Sequence, residues 1–184
     1  MTCRIAVVVG SLRKDSFNRQ LARAVVSLAP DDFTFDFVDI AGLPLYSQDY
    51  DADFPEVARQ FKHQIETADG LLFVTPEYNR SIPGVLKNAI DWGSRPWGKS
   101  AWAGKPGAVL GTSPGATGTA LSQQHLRNVL AHLDVALLGQ PEVFIKHDAT
   151  RIGANGEILN DDTRKFLQLF VDRYTAWVRR LLNR

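Results

Sequence analysis

The chain has 184 residues, enough for one domain that buries roughly 70% of the surface its unfolded form exposes. Hydrophobic residues make up 45% and charged residues 22%, which excludes a disordered or fibrous chain, and a net charge of +1 gives no broad attraction for nucleic acid or a membrane surface. The single cysteine, Cys3, excludes a disulfide framework and a thiolate-rich metal site.

In chain order, Cys3 stands before an apolar run at 5–9 that is too short for a signal peptide and leads into a glycine loop, so a cytoplasmic protein is expected. Residues 18–28 read as a helix, with Leu21, Ala24, Val25 and Leu28 on one stripe. A strand at 33–38 and a long loop from 39 to 54 precede a helix at 55–68. The apolar run 71–75 is the third strand, and Val85, Leu86, Ala89 and Ile90 mark a helix at 84–94. Trp92, Trp97 and Trp102 then form an aromatic segment that suits core packing. A strand at 107–111, a helix at 119–133 and a fifth strand within 135–145 follow. Beyond a loop over 146–161 with a tight turn at Asn155-Gly156, the last helix spans 162–182, striped by Phe166, Phe170, Tyr174, Trp177, Val178 and Leu181. Arg179, Arg180 and Arg184 suit that helix's negative end and solvent.

Strands alternating with helices predict an α/β fold over 1–184 as a single domain. It is a doubly wound, five-stranded parallel sheet of flavodoxin-like order 2-1-3-4-5, with helices on both faces. Continuous apolar strands suit burial on both sides. In this order the first and third strands are neighbours whose helices leave on opposite faces, opening a crevice at their carboxyl ends.

Three unusual loops open there. Gly10 to Arg19, GSLRKDSFNR, offers the hydroxyls of Ser11 and Ser16, the Asn18 amide and the Arg13 guanidinium beside the unpaired amides of a helix start, which suits a terminal monophosphate. It has neither GxGxxG nor GxxxxGK[ST]. The competing reading makes Gly10 a turn, Ser16 or Asn18 a helix cap and Arg13 a solvated side chain. The second loop lies in TPEYNRSIPGVLKNAIDW, residues 75–92, where Pro76 and Pro83 stiffen a backbone able to read the edge of a planar ring. The third, GTSPGATG at 111–118, has small residues that let backbone approach a flat ligand. His125 and His132 are two helical turns apart, too far for an unaided metal pair, and His63 and His147 are isolated.

In these three segments the sequence resembles the NADPH-dependent FMN reductase family, including its quinone and chromate reductase members, over most of the chain. The resemblance implies that Ser11, Arg13, Ser16 and Asn18 hold an FMN phosphate, with Phe17 beside them. It implies that Pro76, Glu77, Tyr78 and Asn79 line the isoalloxazine ring and that Ser113 and Gly115 close the other side. Tyr78 would stack on the nicotinamide or acceptor and Arg80 would meet an NADPH phosphate or an anionic substrate, with a structural role as the alternative for both. Asp15 stands where many relatives have glycine, so its side chain is expected to face away from the phosphate. The implied chemistry is hydride transfer from NADPH or NADH to flavin N5, then reduction of a small-molecule acceptor such as a quinone, free flavin, chromate, azo or nitro compound, in ping-pong order. The flavin carries that reactivity, so no catalytic side chain and no metal are expected. A homodimer or homotetramer is implied as well, with the Trp92, Trp97 and Trp102 segment as a dimer contact walling the flavin pocket in place of core packing. The rival reading is a flavodoxin-type electron carrier, but 21 basic against 20 acidic residues is not the acidic balance of such carriers. A phosphoacceptor receiver domain would need acids where Ser11 and Thr75 stand.

Overall fold

A computed structural model of the chain describes residues 2–183 and consists of a parallel sheet between two helical layers. Arg184, read above as part of the final basic cluster, lies outside the described residues. Strands β1 (Cys3–Val9), β2 (Phe33–Phe37), β3 (Gly70–Val74) and β4 (Pro106–Ser113) carry the order β2-β1-β3-β4. Each of β1, β3 and β4 is an apolar run buried on both faces, whereas β2, at the edge, alternates buried and exposed positions. Cys3 does not precede the first strand as expected: it opens β1, buried and paired in register with Phe33.

The sheet order is the predicted 2-1-3-4-5, but the fifth position is divided. β5 (Ala136–Leu137) pairs with the beginning of β4, and β6 (Val143–Lys146) pairs with Leu110 to Ser113 at its end. Between them Gly139 and Pro141 interrupt the run, and proline has no N–H to give to a ladder.

Helices α1 (Phe17–Val26) and α5 (Asp161–Leu181) cover one face, where Leu21, Val25, Leu167, Phe170 and Val178 meet Ile5, Val7 and Leu72. α2 (Glu56–Glu66), α3 (Gly84–Gly93) and α4 (Ala120–His132) cover the other, with Phe61, Ile65, Leu86, Ile90, Leu126 and Leu130 on Val8, Phe73 and Val109. The last helix is also fixed by polar contacts, Tyr174 Oη donating to the Leu71 carbonyl at 2.8 Å and Arg179 pairing with Asp32 at 2.8 Å.

The loop over 39–54 is held on α3. Trp92 Nε1 and Asn88 Nδ2 donate to the Pro44 carbonyl at 2.8 and 2.9 Å, and the rings of Tyr46 and Phe54 meet Trp92 edge-on. Trp92 and Trp102 are therefore core residues, while Trp97 is 81% exposed. Among the described residues no helix is long and apolar enough to cross a membrane, and no group of His, Cys, Asp and Glu could hold a metal ion.

Candidate functional site

Parallel strands all end at one edge, so the loops after β1, β3 and β4 are brought side by side there. They enclose a cavity of about 140 Å³ lined by Ser11, Arg13, Ser16, Phe17 and Asn18 from the first loop, Pro76, Glu77 and Tyr78 from the second, and Thr112, Ser113 and Pro114 from the third. Nine of these are residues that the family resemblance implies for the cofactor, and the fold brings those nine to one cavity. Thr112 and Pro114 are added by the structure. Asn79, Arg80 and Gly115 lie just outside the lining. Asp15 is exposed and borders a separate hollow with Lys14, Arg19 and Arg23 on the outer side of the loop. A larger hollow, about 760 Å³, lies elsewhere, lined mainly by the second halves of α3 and α4 and by Trp97.

The first loop is built to face an anion. Ser16 caps α1, its Oγ accepting the Arg19 amide at 3.3 Å, which leaves its hydroxyl proton free to donate. The amides of Phe17 and Asn18, which open the helix, have no acceptor among the described residues and carry its positive end. Ser11 is buried, and its Oγ accepts only a long 3.4 Å contact from the Arg13 amide. The Arg13 guanidinium has no carboxylate partner among the described residues; it lies 4.4 Å over the Phe17 ring.

Asn18 has a different duty from the one its amide suggests. Its Nδ2 donates to the Thr112 carbonyl at 2.8 Å and its Oδ1 accepts the Thr112 amide at 3.0 Å, clamping α1 to the end of β4. One amide hydrogen is left for a ligand, so Asn18 chiefly fixes the distance between two walls.

Glu77 is likewise turned from the expected role. Its Oε2 accepts the amides of Leu121 and Ser122 at 3.1 and 3.2 Å, capping α4, whose own N-cap residue Thr119 makes no side-chain cap bond. Its backbone borders the cavity while its carboxylate braces the loop from behind. The Ser122 Oγ donates to the Pro76 carbonyl at 2.9 Å, and Ser81 Oγ meets His125 Nδ1 at 3.0 Å, adding two more braces to α4. Glu77→Ala is expected to cost about 1 to 2 kcal/mol, seen as a melting temperature roughly 2 to 8 °C lower. Glu77→Gln, which keeps one acceptor oxygen, should retain most of that stability.

Residues 78–81 close a tight turn in which Tyr78 and Ser81 exchange both backbone hydrogen bonds, at 3.0 and 2.9 Å, while Asn79 and Arg80 have φ of 50° and 67°. Asparagine tolerates the left-handed region; arginine there is strained by about 1 kcal/mol or more. The amides of Glu77, Asn79 and Arg80 have no acceptor among the described residues, so the loop presents unpaired donors beside the cavity. Tyr78 stands 51% exposed at the mouth. Arg80 makes only long contacts, to Glu77 at 3.5 Å and to Thr117 Oγ1 at 3.4 Å, and its side chain is 68% exposed.

In the third loop Ser113 Oγ donates to the Gly118 carbonyl, closing the loop on itself, and Gly118 adopts φ 58° with Phe144 backbone where a Cβ would stand. His147, isolated in the sequence, is beside the site. Its imidazole stacks on Phe17 with ring centres 3.6 Å apart. Burial holds His147 below the usual imidazole range; Asp148 opposes this and the Arg13 charge adds to it, so the neutral ring is favoured. Only the fold brings it to α1, and no local motif announces it.

Residues 3–150 match the model of the NADPH-dependent FMN reductase family. A 2-hydroxy-1,4-benzoquinone reductase from Burkholderia sp is 72% identical over 179 residues, covering 97% of this chain and 98% of that protein. A quinone reductase from Pseudomonas putida is 51% identical over 98% of this chain and 96% of its own length. Among solved structures, the flavoenzyme NAD(P)H:(acceptor) oxidoreductase FerB from Paracoccus denitrificans superposes with a TM-score of 0.93 at 45% identity, covering 97% of this chain and 98% of that one.

Proposed function

The chain belongs to the NADPH-dependent FMN reductase family, and from that premise we propose that it is an FMN-dependent NAD(P)H oxidoreductase acting on quinones and similar small oxidants. The observation that carries this reading is the convergence of three loops on one cavity with free hydroxyls, free helix-start amides and an unpaired guanidinium, and with free loop amides beside it.

The residues present fit FMN. The donor set of Ser11, Ser16, the Phe17 and Asn18 amides and Arg13 matches a phosphate dianion, and no carboxylate faces it because Glu77 is engaged on α4. About 140 Å³ is less than the roughly 300 to 1,000 Å³ that encloses a ligand of this size. The cavity would hold the phosphate end, and the amides of Glu77, Asn79 and Arg80 would be the donors for the planar ring. FMN, when bound, supplies hydride acceptance from NADPH or NADH at its N5 and delivery to an acceptor.

The chain's own part is binding, orientation and charge. The loop amides would stabilise negative charge on a bound ring, a preorganised contribution that the Glu77, Ser122 and His125 braces keep in place. Tyr78 offers an exposed flat face for the nicotinamide or acceptor, and Arg80, loosely held, is available to an anionic group on either. With one open face, donor and acceptor use the site in turn, giving ping-pong kinetics; free flavins, chromate, azo and nitro compounds are further acceptors on the same ground. The chain acts as one domain in the cytoplasm, as a homodimer or homotetramer, with exposed Trp97 and the hollow beside it offered to another subunit.

Releasing and identifying the chromophore of the purified protein tests this reading: FMN is expected, and a protein that neither carries nor takes up flavin would overturn it. For the ring loop, Asn79→Gly removes the side chain without strain at φ 50°. It should slow flavin reduction roughly 3- to 10-fold, the equivalent of one hydrogen bond, with an unchanged melting temperature. Asn79→Ala should add a melting penalty of its own, because alanine resists the left-handed region.

A further inference from the structure

What aims Arg13 is not an ion pair but a stack. Its guanidinium carbon lies 4.4 Å from the centre of the Phe17 ring, and that ring lies 3.6 Å from the His147 imidazole at 15° between planes. Two partners at such distances cannot share one face of a phenyl ring, so Phe17 is held between them. Phe17 is the first residue of α1, where a side chain has little of its own helix to pack against. His147 supplies the missing wall, and is itself fixed because its amide donates to the Ser113 carbonyl at 2.8 Å, extending the β4–β6 ladder by one residue. Its imidazole makes no hydrogen bond among the described residues and contributes a flat surface only.

We propose that His147 is a positioning residue for the cofactor's phosphate: it fixes the Phe17 ring from behind, and Phe17 in turn presents the Arg13 guanidinium over the free amides of α1. This rests on the FMN reading given above. The same stack makes the phosphate grip depend on the end of β6. Because Arg13 meets only the phosphate, His147 contributes to binding of FMN and not of riboflavin, the same ring without the phosphate.

The test is titration of the full-length chain, freed of flavin, with FMN and with riboflavin. It compares the wild type, Arg13→Ala, His147→Ala, His147→Phe and the double variant Arg13→Ala/His147→Ala. His147→Ala is expected to weaken FMN about 2- to 5-fold, the range of an exposed cation–π contact, and to leave riboflavin unchanged. His147→Phe, which keeps a flat ring, should restore wild-type affinity. The double variant should bind FMN no more weakly than Arg13→Ala alone. Should His147→Ala fail to fold, Phe17→Leu, which keeps bulk and loses the flat face, should show the same selective loss. Equal weakening of FMN and riboflavin, full additivity with Arg13→Ala, unchanged FMN affinity, or no rescue by phenylalanine would each overturn the assignment. If Arg13→Ala itself leaves FMN affinity unchanged, the placement of the phosphate fails as well, an outcome separate from failure at His147 alone.

Discussion

Arg13→Ala is expected to weaken FMN binding about 10- to 150-fold, the range given by one charge-assisted hydrogen bond of roughly 1.5 to 3 kcal/mol. The guanidinium has no competing carboxylate among the described residues, and Asp15, the acid closest in sequence, borders a different hollow. Nothing in the folded chain therefore neutralises Arg13 before a ligand arrives. Because Arg13 is exposed, its contribution is screened by salt, so the loss should be largest at low ionic strength and shrink as salt is added. Arg13→Lys keeps the charge but loses the flat group that rests on Phe17, and should fall between wild type and alanine. Fluorescence titration of the flavin at two salt concentrations measures all three. Unchanged affinity in Arg13→Ala would remove this residue from the site.

Gly111→Ala should have the largest effect on stability of any single-atom addition near the site. A Cβ there would stand 2.1 Å from the Thr75 carbonyl oxygen and 2.4 Å from Thr119 Oγ1. Thr75 begins the ring loop and Thr119 precedes α4, and the Thr75 amide already donates to Leu110 at 2.9 Å. The backbone of one wall would have to move, which costs about 3 kcal/mol and lowers the melting temperature roughly 6 to 12 °C. The same displacement pulls the cavity walls apart, so flavin affinity should fall together with stability. Gly139→Ala is the control, since a Cβ at that position meets nothing within 4 Å and the melting temperature should stay close to wild type.

The strands could be read from sequence because β1, β3 and β4 are short apolar runs ending in glycine, proline or small polar residues, and such runs have few other readings. The divided fifth strand shows the weak point of that reasoning. Its signal was present in Gly139 and Pro141, yet an apolar stretch on either side of a proline looks continuous until the missing ladder donor is considered. The site was legible as a set of loops because parallel topology alone brings strand ends together. The duties of individual residues were less so. Asn18 and Glu77 are polar residues in ligand-rich loops, and their identity suggested ligand contact. Their partners are 94 and 44 residues away, and those contacts turn them into braces. His147 was unreadable for the same reason, its stacking partner being reached only through the pairing of β6 with β4. Residue type in the loops thus pointed to one cavity, and long-range packing divides its members into those with free polar groups and those that hold the others in place.

On the proposed function, this chain oxidises a reduced nicotinamide and passes the electrons to a small acceptor through one open site. Initial-rate measurements on the purified, FMN-loaded protein, varying NADPH or NADH at several fixed concentrations of a benzoquinone, test it most directly. Turnover with parallel double-reciprocal lines is predicted. Flavin-loaded protein that oxidises neither nicotinamide in the presence of the quinone would contradict it, and would leave a flavin-binding electron carrier in its place.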